Sequence, residues 1–184
     1  MTKSTKRQVS EALDLENSYR LADIVKQRLK TLAALELKAG DNVLDIGCGT
    51  GELLSRLSNL AKNVIGIDLS EEMVKLASQK KLNVVLYNGG TLPFDKEKFD
   101  CIVVNFVFAN LPSLEIASHL IEEAHRVVTQ NGRILISAIH HPGKTGMPTH
   151  AGNWRMLVKE LLGIKRPIQY FSFGDYRLYS LKNN

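Results

Sequence analysis

The sequence predicts an α/β domain: a mainly parallel sheet with helices packed on both faces. Three observations carry this. Helical and strand periodicities alternate along most of the chain. The strand segments are continuous apolar runs, as expected where helices cover both faces of a sheet. The first strand also runs into a glycine-alternating turn, Gly47-Cys48-Gly49-Thr50-Gly51, that opens a helix. Such turns bring backbone close to a ligand in α/β folds. A chain of 184 residues suits one domain with a real core.

Taken in order, residues 10 to 37 show helical spacing through Leu13, Leu21, Ile24, Val25, Leu29 and Leu32, ending before Ala39-Gly40. The first strand is Asn42 to Ile46, followed by a helix from Glu52 to about Leu60. The second strand is Val64 to Ile67. Ser70 then reads as an N-cap, with Glu71 and Glu72 favourable in the first turn of a helix that ends near Gln79. Asn83 to Tyr87 forms the third strand and Asp100 to Asn105 the fourth. A helix follows from Ser113 to about Thr129, stopped by Asn131-Gly132. The fifth strand is Arg133 to Ile139. Beyond it come a loop from Gly143 to Asn153, a helix around Trp154 to Leu162, and two aromatic-rich arms from Ile168 to Leu181. A Gly174-Asp175 turn between the arms suggests a hairpin.

Composition narrows the class without deciding it. The apolar and charged fractions are those of an ordinary soluble globular protein. No apolar run approaches a membrane span and no N-terminal signal pattern is recognisable, so a cytoplasmic location is the default expectation. Cys48 and Cys101 read as small buried fillers, not a disulfide or metal pair. The net charge of +5 raises the question of nucleic acid. Residues 42 to 141 hold slightly more acids than bases, however. The excess lies in Lys144, Arg155, Lys159, Lys165, Arg166, Arg177 and Lys182 and in the leader residues Lys3, Lys6 and Arg7. Basic residues among Tyr170, Phe171, Phe173, Tyr176 and Tyr179 suit RNA stacking and phosphate pairing. A solvated surface with a mobile tail is the simpler reading.

The chemistry lies in the turn. Its glycines follow G-x-G-x-G, and Glu52 occupies the place of the third glycine of the dinucleotide pattern. Asp45, just before the turn, would repel a pyrophosphate and attract a cationic α-amino group. S-adenosylmethionine carries that amine and no phosphate. A second apolar strand ends in Asp68, seventeen positions after Gly51. An acid there suits two hydrogen bonds from a ribose diol, although alone it would serve equally as a loop or cap residue.

The stretch from Val43 to Gly51, with Asp68 at its spacing, resembles the first motifs of the class I S-adenosylmethionine-dependent methyltransferases. The resemblance extends to about residue 142. It implies a Rossmann-like three-layer αβα sandwich with strand order 3-2-1-4-5 and S-adenosyl-L-methionine as methyl donor. Asp45 would engage the amino-acid end, with Gly47, Cys48, Gly49 and Gly51 forming the close-approach turn. Asp68 would hold the ribose, and Leu69 and Met73 would pack on adenine. Tyr87 to Phe94 is similar to the family stretch ending Leu-Pro-Phe. There Asn88 replaces the usual aspartate at the adenine amino group, an amide oxygen able to accept the same bond. Gly89 would offer its N–H to the ring. The segment from Asn105 to Pro112 resembles the one bordering the donor's methionine part, with Asn105 a donor contact. It lacks the Asn-Pro-Pro-aromatic signature of enzymes that methylate base amino groups. Tyr19 of the leading helix would close over the donor.

His140 and His141 follow the fifth strand. A histidine there suits removal of a proton from an attacking oxygen or nitrogen, while His-Pro in relatives shapes the chain's exit. The organisation expected is an N-terminal tail and lid-like helix over 1–41, a donor-binding core over 42–142, and a loop, helix and hairpin over 143–184 that covers substrate or dimerises. Relatives add a final antiparallel strand pair, giving 3-2-1-4-5-7-6. The expectation here favours a shortened chain whose final pair is reduced or missing. The fifth strand would then be an exposed edge, relieved by homodimerisation. The acceptor expected is a small molecule in preference to nucleic acid, with no metal and no membrane. The alternatives are a donor-binding domain that is catalytically incomplete or regulatory, and an RNA methyltransferase.

Overall fold

The structure, a computed structural model, describes residues 31–32, 35–139, 169–173 and 176–182. Its centre is one seven-stranded sheet. Strands β1 (Asn42–Ile46), β2 (Asn63–Asp68), β3 (Val84–Leu86), β4 (Phe99–Asn105) and β5 (Val128–Ile139) run parallel in the order 3-2-1-4-5. Helices α1 (Glu52–Ser58), α2 (Glu71–Gln79) and α3 (Leu114–Val127) make the crossovers, with a 3₁₀ turn at Phe108–Asn110 after β4.

Period-two alternation in the apolar strands divides the core into two layers. Leu44, Ile46, Ile102, Val104, Ile134 and Ile136 face α3, where Ala117, Leu120, Ile121 and Ala124 complete one cluster. Val43, Val64, Cys101, Val103 and Leu135 face the other way, against Leu53, Leu54 and Leu57 of α1. Asp45 lies two residues from Val43 and so belongs to the α1 face. The chain thereby buries a carboxylate in an apolar layer.

The final strand pair is present, which corrects the expectation that it is reduced or missing. β6 (Gln169–Phe173) and β7 (Tyr176–Lys182) are antiparallel, and β7 pairs with β5 from Arg133↔Lys182 to Ile139↔Tyr176. The order is therefore 3-2-1-4-5-7-6. The β5 edge is covered by this chain, so dimerisation through that edge has no open ladder to use. Residues 169–173 and 176–182 are likewise sheet strands, not a mobile tail.

A second correction concerns α3. It stops at Val127, not near Thr129, and Asn131-Gly132 lies inside β5. Val128 turns to extended backbone (φ −80°, ψ 142°) and pairs with Phe99. The β-branched Val128 and Thr129 favour extended backbone over another helical turn.

At the amino ends of the strands Arg133 donates to the Leu35 and Glu36 carbonyls and, at 2.7 Å, to Asp41. Burial pushes the Asp41 carboxyl up. The Lys38 N–H at 3.0 Å and the Arg133 guanidinium outweigh it and hold the group below its ordinary value. This clasp ties the segment before β1 to β5, far from the carboxyl ends where the motif residues gather.

Candidate donor-binding site

The carboxyl ends of β1, β2 and β4 converge on the glycine turn. Gly47 and Cys48 N–H groups both donate to the Ile67 carbonyl, at 2.8 and 3.0 Å, locking the turn to the end of β2. Gly47 has φ +72°, and a Cβ there would lie 2.4 Å from Val107 Cγ2 in the loop after β4. That glycine is demanded by the fold itself. Gly49 differs: at φ +54°, a Cβ would meet nothing within 4 Å. Its free side faces open space, as a cradle for an approaching ligand requires.

Asp68 organises the same point. Its carboxylate accepts from Gly49 N–H at 2.8 Å and from Ser70 N–H at 2.9 Å, joining the turn to the start of α2. Each oxygen keeps lone-pair capacity for further donors. Ser70 caps α2 by accepting from Met73 N–H, as its sequence position implied.

Asp45 is the unusual group. It is 1% exposed, and neither carboxylate oxygen has a hydrogen-bond partner among the described residues. Burial, reinforced by the neighbouring Asp68 charge, pushes its carboxyl up to about 8. A buried carboxylate without donors costs free energy unless something supplies them. A cationic amine would supply both charge and N–H donors. The residues present therefore fit a ligand that combines an α-amino group with a ribose. Cys48 lies beside them, but burial and the two acids raise its thiol far above its ordinary value, so it is no nucleophile.

The remaining predicted contacts fall around this centre. Leu69 is 59% exposed, an apolar surface beside Asp68, whereas Met73 is buried. Asn88 and Gly89 are both exposed on the loop after β3, Gly89 at φ +84°. That loop starts against Asp68, whose carbonyl accepts Tyr87 N–H at 2.9 Å. Asn105 ends β4 half-buried and accepts from the Ser137 hydroxyl of β5. The next residue, Phe106, holds φ +58°, a conformation a bulky aromatic adopts only under constraint. Its N–H donates to the Ser137 carbonyl at 3.1 Å and its carbonyl accepts from Asn110 at 3.1 Å. Tyr19, His140 and His141 lie outside the described residues.

Three contributors were not foreseen from the sequence: Val107, which backs Gly47; Ser137, which orients Asn105; and the pair Glu123–Arg126 on α3. No motif announces them, although an acid and a base three apart on a helix are a signal of pairing. Among the described residues no group of acids, histidines and cysteines is arranged to hold a metal. A cavity of about 460 Å³ lies at the opposite, amino end of the sheet, lined by residues including Asn42, Lys62, Lys81 and Phe99. None of the predicted site residues borders it, so it is distinct from the donor site.

A parallel sheet of this order, a glycine turn with an acid before it, and a second acid closing β2 define a class I S-adenosylmethionine-dependent methyltransferase. The chain belongs to that family: residues 44–136, just over half of it, match the family described as Methyltransferase domain. The chain is 31% identical over 129 residues to the demethylmenaquinone methyltransferase of Oceanobacillus iheyensis, covering 65% of this chain and 53% of that one. It thus spans about half the length of that curated relative. Among solved structures it resembles an S-adenosylmethionine-dependent methyltransferase from Aquifex aeolicus. The TM-score is 0.68 and the identity 26%, over 83% of this chain and 87% of the other. The DhpI–SAH complex shares the fold at TM-score 0.71 and 16% identity, over 96% of this chain and 93% of that one.

Proposed function

We propose that this chain binds S-adenosyl-L-methionine across the carboxyl ends of β1, β2 and β4 and directs its methyl group to a small-molecule acceptor. One observation carries the reading: the buried Asp45 carboxylate, without a hydrogen-bond partner among the described residues, beneath a glycine turn whose open side is Gly49. Bound there, the donor supplies an electrophilic methyl carbon on a sulfonium that is already a good leaving group. Asp45 holds the α-amino group, and Asp68 the ribose hydroxyls. Leu69 and Met73 flank the adenine, Asn88 and Gly89 meet its edge, and Asn105 borders the methionine part. The chain's task is then alignment of nucleophile, carbon and sulfur, which itself supplies much of the catalysis. An oxygen or nitrogen acceptor must also lose a proton, for which His140 and His141 are the candidate bases. Tyr19 is the candidate lid residue.

The Oceanobacillus relative is named for methylation of demethylmenaquinone, which supports a small organic acceptor. The division into a lid-like segment over 1–41 and a core over 42–142 belongs to the same proposal, with the strands at 169–173 and 176–182 added to that core. So does a cytoplasmic setting, supported by two free, buried cysteines. No helix among the described residues is long and apolar enough to cross a membrane.

The test is calorimetric titration of the chain and of Asp68→Ala with S-adenosylmethionine and S-adenosylhomocysteine. Saturable binding, weakened strongly by the substitution, is expected; no binding to folded protein refutes the reading. A second reading is donor binding without turnover. Turnover in an acceptor screen excludes it. RNA as acceptor rests only on the basic residues near the C-terminus. Because β6 and β7 are part of the sheet, it is best tested by neutralising Lys165 and Arg166 instead of deleting them. Salt-sensitive RNA binding lost in that variant would support it.

A further inference from the structure

The loop after β3 carries Asn88 and Gly89, yet very little regular structure holds it. β3 has three residues, and Gly89 and Gly90 both sit at positive φ (84° and 77°). A loop of this kind positions a ligand only if something rigid fixes it. At its start the Tyr87 hydroxyl donates to the Gly90 carbonyl. At its end the fixing comes from α3. Leu92 N–H donates to Glu123 Oε2 at 2.7 Å. The Arg126 guanidinium donates to the Leu92 carbonyl at 3.0 Å and the Phe94 carbonyl at 2.9 Å. Two further donors hold Glu123 through both carboxylate oxygens, at 2.8 and 2.7 Å.

Glu123 is buried, and Arg126 beside it keeps its carboxyl below the ordinary range. The pair thus persists as ions at neutral pH. Leu92, 1% exposed, plugs the loop into the core layer facing α3. One guanidinium spends nearly its whole fork of N–H groups on two loop carbonyls and one carboxylate. Lysine cannot reproduce that geometry.

From this geometry we infer that Glu123 and Arg126 are positioning residues for recognition of the donor's purine, acting through the loop that carries Gly89. The inference rests on the donor-binding reading given above. Gly89 N–H meets a ring-nitrogen acceptor of adenine; the corresponding ring nitrogen of hypoxanthine bears a hydrogen and opposes it. A backbone N–H cannot turn round, so a fixed loop discriminates between the two purines and a loosened loop does not.

The experiment compares S-adenosylhomocysteine with its inosyl analogue by calorimetry on the full chain, well below the unfolding transition. The wild type is expected to favour the adenine ligand by roughly tenfold or more. Arg126→Lys is expected to bring the ratio toward one, with Glu123→Gln read the same way, so that one variant suffices if the other does not fold. Arg133→Lys loosens the far end of the sheet and serves as the control for mere loss of stability; its ratio is expected to stay at the wild-type value. A wild type that discriminates, with Arg126→Lys or Glu123→Gln discriminating equally well, overturns the inference and leaves the donor reading standing. A wild type that binds neither ligand overturns the donor reading itself, and this inference with it.

Discussion

Replacing Asp45 by asparagine should make the empty protein more stable and worse at holding its donor. In the unfolded chain this carboxyl titrates near 3.8; in the folded chain burial and Asp68 hold it up at about 8. Between those values the folded state keeps a proton that the unfolded chain has lost. Stability therefore falls as pH rises through that window, by up to about 1.4 kcal/mol per unit. By pH 7 the accumulated penalty is about 4 kcal/mol. Asparagine never ionises and escapes it; its buried amide lacks partners, but so does the protonated carboxyl it replaces, and those costs of about 1–3 kcal/mol largely cancel. The balance is a variant more stable than wild type by up to about 4 kcal/mol at pH 7 and by only about 1–2 kcal/mol at pH 5. Urea unfolding followed by circular dichroism from pH 5 to pH 8 measures the gap, and calorimetry the affinity, which should drop at least about tenfold. A stability gap that does not change with pH, or undiminished donor affinity, would refute the assignment of Asp45 as a buried acid awaiting a cation.

Other expectations follow from the same geometry. Donor binding at pH 7 should release close to one proton from Asp45, visible as a dependence of the apparent enthalpy on the buffer's ionisation heat and absent in Asp45→Asn. Gly47→Ala and Gly49→Ala should separate: the first drives a methyl group into Val107 and lowers stability by about 2–3 kcal/mol. The second bears only the left-handed backbone penalty of about 1 kcal/mol but closes the open side of the turn, so binding suffers more than folding. Asp68→Ala should weaken donor binding by roughly 30-fold or more, because ribose contacts and the anchors of the turn go together. Arg133→Met should lower the melting temperature without changing donor affinity, since its partners Leu35, Glu36 and Asp41 lie at the far end of the strands.

Elements with strong local signals were legible in the chain itself. β1 begins and ends at the predicted residues, α1 starts at Glu52, and Ser70 caps α2, because apolar runs, a glycine turn and an N-cap act over a few residues. The end of α3 was misplaced because Asn131-Gly132 resembles a helix stop, while Val128 is claimed by Phe99, a partner far away in sequence. The strand pair β6–β7 was underrated for the same reason: whether a hairpin joins a sheet is decided by the edge it meets. Asp45 was legible as a site residue through its position before the turn. That its oxygens would lack partners was not, since burial on the α1 face is a property of the assembled layers. Glu123 and Arg126 stayed hidden because their partners are main-chain groups of Leu92 and Phe94, about thirty residues away, and main-chain partners leave no mark in side-chain patterns.

The placing of β7 between β5 and β6 has a bearing on how the protein is made. The last strand of this sheet to leave the ribosome is an inner one, so residues 42–139 can assemble into five parallel strands long before their outer ladder is closed. Until Tyr176–Lys182 arrive, the nascent sheet offers the β5 ladder to any other extended segment in reach. Closing of the sheet thus waits for residues 176–182 to be made. Pauses or premature stops ahead of Tyr176 should send the product toward chaperones and inclusion bodies, while the same break placed after Lys182 should leave the sheet intact.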